Sequence, residues 1–83
     1  MPEFRAVVLV MLKPGLLDPQ GRAVERTIQR LGTKNVKEMR IGKRIELLIE
    51  GDRDDVETQL EGLARDVLSN PITEDYRIQL SEI

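Results

Sequence analysis

The ten residues from Phe4 to Lys13 constrain the fold of this chain more than any other stretch. Phe4, Ala6, Val8, Val10 and Leu12 share one parity, while Val7, Leu9 and Met11 share the other. Successive side chains of a strand point to opposite faces, so a strand built here is apolar on both. That pattern belongs to a central strand covered on each side. With 83 residues the chain forms one domain, spanning residues 1–83. A domain this short buries only about 60–65% of its unfolded surface, so self-association is a natural supplement. With two helices available, one face of the strand is expected to be covered by another subunit.

Pro14-Gly15 closes the strand as a turn, and Asp18-Pro19 opens a helix. Asp is a preferred N-cap, because its carboxylate accepts amide hydrogens that the first turn leaves without partners. Proline just inside the start loses no useful donor. Ala23, Val24, Thr27, Ile28 and Leu31 then give a helical apolar stripe, and Gly32 stands where a left-handed cap belongs.

Val36–Ile41 alternates imperfectly, with Met39 and Ile41 opposite Glu38 and Arg40. Gly42-Lys43 follows, then Ile45, Leu47 and Ile49 alternate with polar residues. Two strands joined by a type II′ turn are expected, with one long strand bent at Gly42 as the alternative. Gly51-Asp52 opens a second helix, whose stripe is Val56, Leu60, Leu63, Ala64, Val67 and Leu68, and Asn70-Pro71 stops it. Tyr76, Ile78 and Leu80 mark a last half-buried strand. The expected fold class is therefore α+β. Its order is β-α-β-β-α-β, the ferredoxin-like arrangement with two helices on one face of an antiparallel sheet.

Composition narrows the chemistry. There is no cysteine, hence no disulfide, zinc-thiolate site or thiol nucleophile, and no histidine, the commonest general base and metal ligand. A net charge of −2 with both signs mixed gives no basic field for nucleic acid or membrane. The N-terminus does not read as a signal peptide, and no apolar run reaches the ~20 residues of a membrane span. A cytoplasmic protein with neither nucleic-acid nor membrane partner is expected. Asp52, Asp54 and Asp55 are accounted for by the favourable field at a helix start. RNA-binding sheets of this topology stack bases on exposed aromatics, but Phe4 and Tyr76 fall on the core parity. An ACT-type regulatory domain, with Pro14-Gly15 as its ligand loop, is the alternative among binding modules.

One position resists helix mechanics. Glycine in a first turn costs about 1 kcal/mol relative to alanine, so Gly21 implies that something packs against that helix end. Arg40, Lys43 and Arg44 cluster around Gly42 at a distant point of the sequence. The candidate site is accordingly a partner-binding one: Asp18, Pro19, Gln20 and Gly21 with Arg40, Gly42 and Lys43. No catalytic residue and no metal ligand is expected.

Three segments together resemble one family. They are the run from Leu12 to Ala23 containing Leu17-Asp18-Pro19-Gln20-Gly21, the run Val36 to Lys43 ending Arg40-Ile41-Gly42-Lys43, and Glu74-Asp75-Tyr76-Arg77. The chain resembles the PurS family, the small subunits of bacterial and archaeal phosphoribosylformylglycinamidine synthase. Leu16 and Met39 stand where that family often carries valine. The resemblance implies a non-catalytic assembly subunit of a glutamine amidotransferase ligase. Such a subunit pairs with itself as a dimer or tetramer and joins a glutaminase subunit to a large synthetase subunit. It also implies no cofactor on this subunit, with ATP and Mg used by the large one.

Overall fold

The computed structural model describes residues 1–83. Its elements run β1 (Glu3–Leu12), α1 (Pro19–Arg30), β2 (Lys43–Glu50), α2 (Arg53–Leu63) with a π-helical turn at Ala64–Leu68, and β3 (Glu74–Glu82). The α+β class and the antiparallel sheet are as expected. β1 is the central strand, in the order β2-β1-β3 and antiparallel to both neighbours. Ala6 lies opposite Leu47 and Leu80, and Val8 opposite Ile45 and Ile78. One parity of all three strands thus faces the same way. Phe4, Ala6, Val8 and Val10 are nearly or fully buried there beneath Val56, Leu60 and Ala64.

The other face carries Val7, which is buried, and Leu9 and Met11, which are half-buried. No layer of this chain covers them. Polar side chains of the flanking strands stand around them, Glu46 and Gln79 directly beside Val7.

Local signals hold closely. Leu16 N donates to Lys13 O at 3.3 Å and Gly15 has φ 87°, the geometry of a type II turn with proline and glycine at its centre. At the end of α1, Gly32 has φ 105°, its amide donates to Gln29 O, and the Thr33 amide donates to Ile28 O. That bond pair is the Schellman motif, for which a left-handed residue is required.

Three expectations need correction. Val36–Ile41 forms no strand ladder, and no turn closes at Gly42-Lys43: β2 begins at Lys43 and the preceding residues are irregular backbone. The outer edge of β2 is free, but the chain runs on from β2 past the end of β1, held by the Ile41 amide on Asp18 and by Arg40 on the Leu12 carbonyl, instead of folding back along β2. Secondly, only α2 lies on the sheet. α1 buries no residue except Gly21, leaving Val24 39% and Leu31 81% exposed. The two helices therefore do not share one face within a single chain. The radius of gyration is 16.6 Å, against about 12 Å for a compact domain of this length. Thirdly, Val67 is 69% exposed. The π turn is wider than an α turn, so the residue one turn beyond Ala64 on the sheet side is Leu68, and Val67 rotates outward. Ser69 Oγ donates to the Ala64 carbonyl at 2.6 Å, using an acceptor that this wider turn exposes.

Candidate functional site

The structure brings the two distant groups of candidate residues together, and a single carboxylate joins them. Asp18 caps α1, its Oδ1 accepting from the Gly21 amide at 2.8 Å. Its other oxygen, Oδ2, accepts from the Ile41 amide at 2.9 Å, twenty-three residues away. These two amides, with Arg40 nearby, hold the Asp18 carboxyl below the usual carboxylate range, outweighing the opposing effect of partial burial.

Gly21 sits at the closest point of this junction. A Cβ there would lie 2.6 Å from the Met39 carbonyl oxygen and 2.9 Å from Asp18 Oδ2. The first-turn glycine is thus required by the chain's own returning segment. Gly42 is constrained in the same way: a Cβ would collide with the Val10 carbonyl and the Met11 side chain. An Arg40 guanidinium nitrogen donates to the Leu12 carbonyl, fastening the returning segment to the end of β1. Asp18, Gly21, Arg40 and Gly42 all contribute to fixing this corner.

Around the corner the surface is open. Pro19, Gln20, Arg40, Gly42 and Lys43 are exposed, as are Leu16 and Leu17, the latter at 70%. A cleft of about 590 Å³ runs between the 14–18 loop, the start of α1 and residues 37–40. Its charges balance, with Arg22, Lys37 and Arg40 against Asp18, Glu25 and Glu38. A balanced, shallow, polar surface with exposed leucines suits contact with a protein and does not concentrate the field that a free anion would need.

The chemistry available is correspondingly limited. Asp18 has both oxygens engaged by amides and a lowered pKa, which makes it a poor general base. Asp52, Asp54 and Asp55 lie at the opposite end of β1, because Glu50 pairs with Glu3. Asp75 is engaged by Lys13 at 2.8 Å and Glu74 by the Asn70 amide at 2.7 Å. The Tyr76 hydroxyl donates to Glu61 at 2.6 Å, and that bond holds the phenol above its ordinary pKa. No group of three or more His, Cys, Asp or Glu side chains could hold a metal ion, and no helix is long and apolar enough to cross a membrane.

Sequence reasoning missed the parts supplied by backbone: the Met39 and Leu12 carbonyls and the Ile41 amide. These groups carry no residue-type signature. The one trace among them is Gly21, which the Met39 carbonyl presses against.

Residues 5–82 match the family model described as PurS, phosphoribosylformylglycinamidine (FGAM) synthase. The chain is 36% identical over 81 residues to the phosphoribosylformylglycinamidine synthase subunit PurS of Methanocaldococcus jannaschii, covering 96% of this chain and 98% of that one. It resembles the solved structure of PurS from B. subtilis with a TM-score of 0.87 and 35% identity, over 94% and 98% of the two chains. It also resembles a chain in the structure of PurLQS from Thermotoga maritima, with a TM-score of 0.86 and 27% identity over 98% of this chain and 100% of that one.

Proposed function

The chain belongs to the PurS family, and from that premise we propose that it is the non-catalytic assembly subunit of phosphoribosylformylglycinamidine synthase in purine biosynthesis. It pairs with itself and brings a glutaminase subunit and a large synthetase subunit together. The glutaminase releases ammonia from glutamine. The synthetase activates formylglycinamide ribonucleotide with ATP, used with magnesium on that subunit, and ammonia displaces the activated oxygen to give the amidine. Ammonia in free solution at neutral pH is mostly ammonium, which has no lone pair and cannot attack. Direct transfer between docked subunits preserves the nucleophile.

The observation that carries this reading is the corner itself. The most distinctive residues of the sequence are gathered into one rigid junction that holds no nucleophile, base or metal site, yet presents Leu16, Leu17, Gln20, Arg40 and Lys43 outward. Asp18, Gly21 and Gly42 set its shape, and Pro19 fixes the helix start. The exposed residues are the docking contacts.

The test is assembly. Gln20→Ala with Leu17→Glu, and separately Arg40→Ala with Lys43→Ala, are mixed with the large synthetase and glutaminase subunits. The expected result is loss of glutamine-dependent synthesis while ammonia-dependent synthesis by the large subunit persists, with circular dichroism confirming that each variant is folded. Folded variants that still assemble a fully glutamine-dependent complex would refute the docking assignment.

A further inference from the structure

The net charge of −2 conceals a division. Residues 19–44 hold eight Lys or Arg against Glu25 and Glu38, a net +6, while the rest of the chain holds five against thirteen acidic residues, a net −8. The positive share is concentrated on α1. Arg22, Arg26, Arg30 and Lys34 recur every four residues, the spacing that places side chains one above another on a helix. All four are exposed, and none has a carboxylate of this chain within ion-pair distance. The stripe holds together past the last helical turn. Arg26, Arg30 and Lys34 line one open groove of about 650 Å³, with Thr27 and Gln29 beside them and no acidic residue.

Helix mechanics argue against this arrangement. Like charges four residues apart repel one another. The field at a helix start favours anions, and α2 follows that rule with Asp54 and Asp55, whereas α1 has no acidic residue in its first turn and carries Arg22 directly after it. Only Arg30, in the last turn, agrees with the helix dipole. Four cations kept together without partners, against the stability of their own helix, are accounted for by a surface that neutralises them from outside. The apolar side of α1 does not compete for them. Val24, Ile28 and Leu31 lie across the helix, so packing that side against any surface leaves the cations facing outward.

We infer that the stripe Arg22, Arg26, Arg30 and Lys34 is an electrostatic docking surface for a carboxylate-rich face on one of the larger subunits of the assembly. This rests on the reading above and extends its corner, because Arg22 also lines the corner cleft and the stripe leads from there along α1. The rest of the molecule favours a protein over a nucleic acid as the occupant. The net −8 outside residues 19–44 repels a long polyanion approaching α1. The two aromatic residues, Phe4 and Tyr76, pack in the core clusters of the sheet, so the stripe has no platform on which bases could stack. A compact acidic patch meets the four cations without confronting the negative body.

Charge of this kind speeds encounter and fixes orientation, which sets the test. Arg26→Gln with Arg30→Gln removes the centre of the stripe, keeps good helix formers, and leaves Arg22 and the corner intact. The amount of this chain that half-saturates glutamine-dependent synthesis is titrated against fixed amounts of the synthetase and glutaminase subunits, at about 0.05 M and about 0.3 M salt. At the lower salt the double variant is expected to need on the order of tenfold more chain. It is also expected to lose most of the salt dependence of the unaltered chain, while reaching the same rate at saturation. Equal titrations for variant and unaltered chain at both salts would overturn the inference and leave the assembly reading standing. No glutamine-dependent synthesis with the unaltered chain would overturn the assembly reading and the inference with it. A lower mass of the variant alone by light scattering would assign the stripe to self-pairing and overturn the docking surface. Saturable binding of a single-stranded oligonucleotide at about 0.15 M salt, read by fluorescence anisotropy and lost in the variant, would overturn it in favour of a nucleic acid.

Discussion

Replacing glycine by alanine in a helix ordinarily stabilises it, and two helical glycines of this protein should respond with opposite signs. Gly62 in α2 has nothing within 4 Å of the position a Cβ would take. Gly62→Ala should therefore realise the propensity gain of about 0.5–1 kcal/mol. Gly21 in α1 would realise the same gain, but its Cβ meets the Met39 carbonyl at 2.6 Å, and that oxygen must retreat by about 0.8 Å to reach ordinary contact at 3.4 Å. Asp18 Oδ2, at 2.9 Å, must move as well, which disturbs its bond to the Ile41 amide. Forcing a methyl into a closed site costs about 1–3 kcal/mol. The net for Gly21→Ala is thus a loss of about 1 kcal/mol, and the two variants should differ by about 1–3 kcal/mol. Urea unfolding measures this directly. With a slope near 1 kcal/mol/M for a chain of this size, Gly21→Ala should lower the midpoint by about 1 M and Gly62→Ala should raise it by roughly half that or more. Protomer concentration must be held fixed, because association contributes to apparent stability. A Gly21→Ala variant as stable as the unaltered protein would refute the close approach on which the site rests.

Other expectations follow from the same geometry. Leu60→Ala, at a fully buried position on the sheet-facing side of α2, should lose about 2–5 kcal/mol by calorimetry or urea unfolding, since the cavity adds to the lost transfer energy. The pH dependence of Asp18 has a definite sign: its folded pKa is depressed, so its stabilisation is fully present above the unfolded value near 3.9 and fades as pH falls through the lower folded value. Asp18→Asn should therefore flatten the stability profile below about pH 4 while leaving the shape above pH 5 unchanged, as thermal melts across pH would record. Tyr76→Phe removes the bond to Glu61 at a partly exposed position. It should lower stability slightly at neutral pH, where solvent competes for the bond, and shift the alkaline limb of the same profile.

The sequence by itself determined the features set by local interactions. The two-faced strand at Glu3–Leu12, the type II turn at Pro14-Gly15, the Asp18 cap with Pro19 and the left-handed Gly32 all follow from neighbours within a few residues. It also identified the candidate residues, because a glycine held in a helix start against its propensity signals a close contact. It did not say with what. The tertiary structure decided that the contact at Gly21 is the chain's own Met39 carbonyl, that Asp18 reaches Ile41, and that Gly42 is pressed against β1. It decided too that Val36–Ile41 forms no ladder and that α1 stands off the sheet. A strand needs an edge that its chain path can reach and an amphipathic helix needs a face that its connections let it cover. Both are properties of the assembled sheet, and neither is carried by the residues that would occupy them.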